Sequence, residues 1–328
     1  MKYIPRTLKD KIKRNSFAKQ LFRTVKLKRE LVFPSRVEIE TTSFCNARCN
    51  HCEHSTLGRP RAHMEMGLYK KIIDECDQYK KYCKEVFLFW MGEPFLDPNF
   101  FEKVKYAKQK NSFKVTSYSN GSLLTSGNCQ KLIESGLDSI VFGTDGATKN
   151  SYESIRTGLS YDRMVDGIKR LADLKRKLGT KTPHIHVQMV LTPLNYQEVG
   201  LFNKTWAGIV DEISIRKLVV WSGDTIDDEL MDYSRTLIGE RYSQSIPCLF
   251  PWSLMVIAQD GKVALCCTDS RVKYELGDLS KESVQQIWRG QKMTQLRETH
   301  LAGQMNEIPI CNTCNHRQIL EYPWWWYS

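Results

Sequence analysis

The sequence predicts an α/β protein: a domain of parallel strands with crossover helices, followed by a second, smaller domain. Three observations carry the prediction. Strand-like and helix-like segments alternate from residue 37 to 218, and strands joined through helices run parallel with crossover connections. The alternation yields six strands, fewer than the eight that close a barrel. From Ile246 onward the pattern changes to short strand-like pieces, an Asp260-Gly261 turn and five of the eleven cysteines.

Residues 1–36 form a basic extension. Twelve Lys/Arg stand there against Asp10 and Glu30, which leaves the remainder of a +11 chain nearly neutral. Within it Phe17, Leu21, Phe22 and Val25 share one face of a helix. The simplest expectation is a helix packed on the body with a solvated basic rim; contact with an anionic membrane surface or an acidic partner is the alternative. Nucleic acid is disfavoured, because no helix-turn-helix or RNA-binding signature accompanies the charge. After Pro34, Val37, Ile39 and Thr41 alternate with Glu38 and Glu40 as a first strand. Helices are expected at 67–80, 100–110, 125–135, 161–178 and 196–207, and strands at 85–90, 114–119, 139–143, 184–191 and 212–218. The first domain spans 37–221, residues 222–245 form a polar connector, and 246–328 form the second domain.

A chain of 328 residues, 41% hydrophobic and 11% aromatic, can bury a core. No apolar stretch reaches the roughly 18 residues of a spanning helix, and the charged start lacks the apolar centre of a secretory signal. The expected location is the cytoplasm, with peripheral contact at the inner membrane surface as an option. Eleven cysteines then argue for thiolates that hold metal rather than for a disulfide framework.

Cys45, Cys49 and Cys52 place three thiols within eight residues, directly after the first strand. Loops at the C-terminal ends of parallel strands are where such folds carry chemistry. Thiolates this close converge on one soft metal centre. Zinc would take a fourth ligand, for which His51 or His54 is available; three cysteines alone suit a four-iron cluster with one iron open. The CxxxCxxC spacing resembles the signature of radical S-adenosylmethionine (SAM) enzymes, with His51 where an aromatic residue usually stands. Further segments follow in that family's order. Trp90-Met91-Gly92-Glu93-Pro94 is similar to its GGEP segment, Met91 replacing the first glycine, which implies that Gly92 and Glu93 receive the amino group of SAM. Ser119-Asn120-Gly121 resembles the family's ribose-contacting segment. Asp145, in Gly143-Thr144-Asp145-Gly146, holds a family-like position near ribose or substrate. Arg156 matches an arginine near the SAM carboxylate, and Val190 and Leu191 end the strand that contacts adenine in the family. Singly, each segment reads as a turn or a surface cation; their joint order at successive strand ends carries the resemblance, over residues 37–218, and the resemblance implies an α/β fold, a partial (β/α)6 barrel followed by a small α+β domain.

The second cysteine group, Cys248, Cys266, Cys311 and Cys314, follows the pattern C-x12-G-x4-C and then CxxC. It is similar to the SPASM and twitch modules that follow many radical SAM domains. Residues 315–328 contain no cysteine, so the shorter twitch form is expected, with one auxiliary [4Fe–4S] cluster on those four thiols. Zinc on four cysteines is the spacing-level alternative. Cys267 is left over: an inert thiol, a substitute ligand, or a hydrogen donor to a substrate radical. As neighbours on a strand, Cys266 and Cys267 would point oppositely. Cys76, Cys83 and Cys129 are expected to be core or surface thiols.

The resemblance implies SAM and two [4Fe–4S] clusters as cofactors, and a flavodoxin- or ferredoxin-type electron donor. SAM would chelate the open iron; one electron would cleave its sulfur–C5′ bond; and the 5′-deoxyadenosyl radical would abstract hydrogen from substrate. The expected reaction is oxidation or epimerisation at a hydroxyl- or amine-bearing carbon of a sugar, aminocyclitol or small natural-product precursor. The alternatives are radical modification of a ribosomal peptide and, in another class, a non-catalytic zinc protein binding RNA or membrane. Trp221, Trp252 and the tail Trp324-Trp325-Trp326-Tyr327 are candidate sugar-stacking rings, or simply aromatic groups docked on the body.

Overall fold

The computed structural model describes residues 27, 30–219, 228–238 and 246–320. The basic amphipathic face (Phe17, Leu21, Phe22, Val25), Trp221 and the aromatic tail lie outside the described residues.

Six strands run parallel in the order of the chain: β1 (Arg36–Ile39), β3 (Glu85–Phe87), β4 (Lys114–Ser119), β5 (Ser139–Gly143), β7 (His184–Leu191) and β8 (Glu212–Lys217). They are the parallel strands that the alternation predicts and the partial barrel that the resemblance implies. Crossover helices α1 (Met66–Gln78), α2 (Phe100–Gln109), α3 (Ser126–Glu134), α5 (Tyr161–Lys177) and α6 (Val199–Trp206) connect them. Local sequence fixes where several begin. The side chains of Thr125 and Ser160 accept from Asn128 N and Arg163 N, capping α3 and α5. On α5, Met164, Ile168 and Leu171 recur at helical spacing and are fully buried.

Four elements are not legible in the pattern. A short helix α4 (Lys149–Ile155) runs into β6 (Arg156–Thr157), which pairs antiparallel with β2 (Arg48–Cys49) in the cysteine loop. The connector is not wholly irregular, since α7 (Asp228–Ile238) lies within it. Its buried side carries a polar anchor, Ser234, whose hydroxyl donates to the Leu218 carbonyl (2.6 Å), so the apolar period is interrupted. The strand expected over 85–90 is shorter, ending at Phe87, although Leu88 N still donates to the Thr116 carbonyl.

The cysteine-rich C-terminal part contributes β9 (Leu254–Ile257), β10 (Lys262–Ala264) and β11 (Gly277–Asp278), followed by helices α8 (Val284–Arg289), α9 (Gln291–Leu301), α10 (Pro309–Thr313) and α11 (His316–Ile319). Its hairpin continues the barrel sheet. Strand β9 pairs parallel with β1, and β10 and β11 add antiparallel, giving one nine-stranded sheet ordered β11-β10-β9-β1-β3-β4-β5-β7-β8. Among the described residues no helix is long and apolar enough to cross a membrane.

Candidate active site

The first cysteine loop leaves β1 and is held by the chain's own polar groups. Ser43 N donates to the Ala62 carbonyl (3.0 Å), and Ala62 N donates back to Ser43 Oγ (2.9 Å). The loop's exit is fixed by a buried ion pair, Lys103 Nζ to Asp97 Oδ2 (2.6 Å), with Nζ also donating to the Met64 carbonyl (2.7 Å). His54 is buried and its Nε2–H lies 2.8 Å from the Ser43 carbonyl. His51 faces oxygens at both ring nitrogens: Asn50 Oδ1 at 3.3 Å and Asp145 Oδ2 at 3.4 Å. Both histidines offered as a fourth ligand are therefore engaged elsewhere.

The three thiols are partly buried and within electrostatic reach of one another. Burial pushes Cys45 up to about 11 and Cys52 up to about 12, and raises Cys49 as well. Desolvated thiols of this kind become thiolates only against compensating positive charge, which bound iron supplies. Among the described residues no three His, Cys, Asp or Glu side chains form a single-ion site. A soft donor set of three thiols without a histidine partner fits an iron–sulfur cube with an open corner.

The strand-end segments surround this loop. Gly92 lies so close beneath it that a Cβ would come 2.1 Å from the Thr42 carbonyl oxygen and 2.8 Å from that of Phe44. Glu93 N donates to the same Phe44 carbonyl (2.8 Å). The Glu93 carboxylate is buried and accepts from Asn120 N (2.7 Å), Ser119 Oγ (2.8 Å) and Phe95 N (3.2 Å), which ties the end of β4 to the segment after β3. A carboxylate has about four acceptor positions, so one remains for a ligand ammonium. Asn120 reaches the cysteine loop through Asn46 (2.9 Å), and Gly121 takes the left-handed conformation (φ +74°) that its turn requires.

Asp145 is fully buried, and the protein engages both of its carboxylate oxygens. Arg156 Nη2 and Nε approach Oδ2 at 2.6 and 2.9 Å, and Val190 N donates to Oδ1 (2.7 Å). Register places Arg156 opposite Cys49 in the small β2–β6 pair, with Nη1 3.9 Å from the Cys49 thiol. Asp145 thus stands behind Arg156 and His51, orienting both. Leu191 ends β7 and is half-buried.

The second group is brought together from the turn after β10, from α10 and its C-terminal end, and from the loop before β9. Cys248, Cys266, Cys311 and Cys314 influence one another electrostatically, and burial raises all four, Cys266 to about 12. Thr268 Oγ1 lies 3.1 Å from Cys266 Sγ. His300 bridges two members, accepting from Cys248 N (3.3 Å) with its Nε2 3.8 Å from Cys311 Sγ. Cys266 and Cys267 lie beyond β10 in a turn. Strand alternation therefore does not separate them; their partners do, because Cys267 Sγ faces His316 Nδ1 (3.8 Å) and its carbonyl accepts from Trp90 Nε1 (3.0 Å). Cys76, Cys83 and Cys129 are buried core thiols, and Trp252 is buried too.

A model of the radical SAM superfamily matches residues 39–202, and one of an iron–sulfur cluster-binding domain, SPASM, matches residues 248–315. The chain belongs to the radical SAM superfamily. A radical SAM enzyme uses SAM with a [4Fe–4S] cluster, and the second domain adds iron–sulfur binding. Among curated relatives, the tungsten-containing aldehyde ferredoxin oxidoreductase cofactor-modifying protein of Pyrococcus furiosus is 24% identical over 87% of this chain and 88% of its own. The SAM-dependent 2-deoxy-scyllo-inosamine dehydrogenase of Niallia circulans is 21% identical over 87% and 94%. Among solved folds, BtrN in complex with AdoMet and 2-DOIA gives a TM-score of 0.57 at 19% identity, over 86% of this chain and 93% of that one. Streptococcus suis SuiB bound to precursor peptide SuiA gives 0.66 at 14%, over 93% and 75%.

Several residues of this radical SAM site went unremarked in the sequence. Asn46 sits inside the cysteine motif and links it to Asn120. Arg59 binds Glu40 through both terminal nitrogens (2.6 Å each), donates to the Ser270 carbonyl and lies over the Trp90 ring at 4.9 Å. With Trp90 it joins the first cysteine loop to the turn carrying Cys266 and Cys267. A lone arginine in a loop gives no signal of this; Asn46, between two cysteines, gave the only one.

Proposed function

We propose that this enzyme removes a hydrogen atom from a hydroxyl- or amine-bearing carbon of a sugar, aminocyclitol or small natural-product precursor, giving oxidation or epimerisation. The observation that supports it is the placement of two separate thiol groups, three without a histidine partner and four together, against one sheet. Cys45, Cys49 and Cys52 would hold the SAM-binding cluster, and Cys248, Cys266, Cys311 and Cys314 an auxiliary one. When bound and reduced, the first cluster supplies the electron that cleaves SAM into a hydrogen-abstracting species. The protein's residues bind and orient. Gly92 gives backbone access and Glu93 the remaining carboxylate position for the SAM amine. Arg156, aimed by Asp145, meets the carboxylate as a planar fork. Ser119, Asn120, His51 and Leu191 complete the cofactor wall. A cavity of about 540 Å³ beside Cys45, with Arg48 and Arg61 on its lining, suits approach of an acidic flavodoxin- or ferredoxin-type donor. Residues 1–36 remain the candidate for a peripheral membrane or acidic-partner contact.

Anaerobic reconstitution tests the assignment. Wild type should bind about eight irons per chain, and Cys49→Ala and Cys314→Ala should each lose about four. Colourless protein holding zinc would overturn it.

Cys267→Ala divides the two outcomes. With solvent deuterium entering the product and turnover lost in the variant, epimerisation holds and Cys267 is the hydrogen donor. With turnover retained and a carbonyl product, oxidation holds. Modification of a peptide is the second reading, favoured by the SuiB likeness; a peptide product in place of both would establish it.

A further inference from the structure

Glu38 is a buried acid that the chemistry above does not use. On β1, Val37 and Ile39 face the hydrophobic core, so Glu38 faces the barrel interior. It is 7% exposed, and among the described residues its carboxylate has neither a hydrogen bond nor an ion pair. Arg36 and Glu40, on the same face of the strand, lie within electrostatic reach without pairing with it. Across the interior, Glu38 is felt by Tyr118 of β4 and by Cys267 of the C-terminal turn. Burial pushes its carboxyl up to about 8.

The wall beside it is aromatic. Phe89 stacks on Tyr118 with ring centroids 4.1 Å apart, and both rings are only half-buried. Arg216 of β8, held to Gln188 at 3.3 Å, supplies a cation on the open edge of the interior. A partnerless acid costs stability unless something occupies it, and an acid beside aromatic faces suits an ammonium better than a hydroxyl.

Resting on the small-molecule reading above, we propose that the substrate carries a protonated amine, that Glu38 is its acidic partner, and that the Phe89–Tyr118 stack is the wall on which its ring lies. Binding of the ammonium draws the Glu38 proton off, so association at neutral pH releases a proton.

The test uses the anaerobically reconstituted enzyme with SAM and two matched pairs of probes: 2-deoxy-scyllo-inosamine with its hydroxyl counterpart, and glucosamine with glucose. Calorimetry in two buffers reads affinity and proton release together. Wild type should favour at least one amine over its neutral twin by about tenfold or more, with proton release. In Glu38→Gln, an isosteric change checked by retained iron content, the preference and the proton release should both vanish. Equal binding within each pair, preference for the neutral twin, a preference that survives in Glu38→Gln, or no binding by any probe would overturn the proposal. The small-molecule reading is tested apart from it: wild-type turnover of a peptide in place of a small molecule would remove that reading, whatever the pairs show.

Discussion

Gly92→Ala is expected to empty the first cluster site while leaving the second filled. The added Cβ would lie 2.1 Å from the Thr42 oxygen and 2.8 Å from the Phe44 oxygen, both backbone atoms with no rotamer to escape into. The loop carrying Cys45 must move, and the bond from Glu93 N to the Phe44 carbonyl is lost with it. A displacement of about 1 Å in a reacting constellation costs on the order of 100-fold. Iron content should fall by about half, and 5′-deoxyadenosine formed after dithionite reduction should fall to about 1% of wild type or less. Full iron with an unchanged cleavage rate would show that the close approach has no role in holding the loop.

Asp145→Ala is expected to cost about 3–5 kcal/mol of stability, since it leaves Arg156 as a buried cation without its partner. The Arg156 side chain is 12% exposed and lies over Gly143, where even a Cβ would meet its Nη2, so the guanidinium has little room to turn to solvent. Urea unfolding of the reconstituted protein should show the loss. Arg156→Met in the same chain should restore most of it, because the pair is removed together. SAM binding should not return in that double variant, since the fork that meets the carboxylate is gone. Recovery of SAM binding would place the carboxylate elsewhere.

Much of this architecture could be read from residue order, for identifiable reasons. Crossover helices such as α5 announce themselves through apolar spacing and a serine cap, and β4, β5 and β7 span the residues that the alternation marks, 114–119, 139–143 and 184–191. The cysteine spacings marked both thiol groups. What escaped was what depends on distant packing. The alternation of Val37 and Ile39 with Glu38 and Glu40 suggests a half-solvated strand, yet both glutamates are buried, because the curved sheet and the C-terminal turn enclose its second face. Arg156 was legible as a candidate, but its two-residue pairing with the cysteine loop was not, for strands that short carry no period. Asp145, a cofactor-contact candidate by sequence, also holds Arg156 through Oδ2, a supporting role that only geometry shows. The alternation expected of Cys266 and Cys267 does not apply, because both lie beyond β10 in a turn.

The parallel pairing of β1 with β9 has a consequence for how the protein is made. The two strands meet at Arg36 and Leu254, and the adjoining Ser35–Ser253 contact spans 218 positions of chain. While the ribosome is still working through that interval, β1 has its neighbour on one side only and presents naked amides and carbonyls on the other. A nascent chain paused there is an open template onto which a second nascent chain can add a strand. Expression slowed in the middle of the message should therefore yield aggregates rather than a soluble N-terminal half.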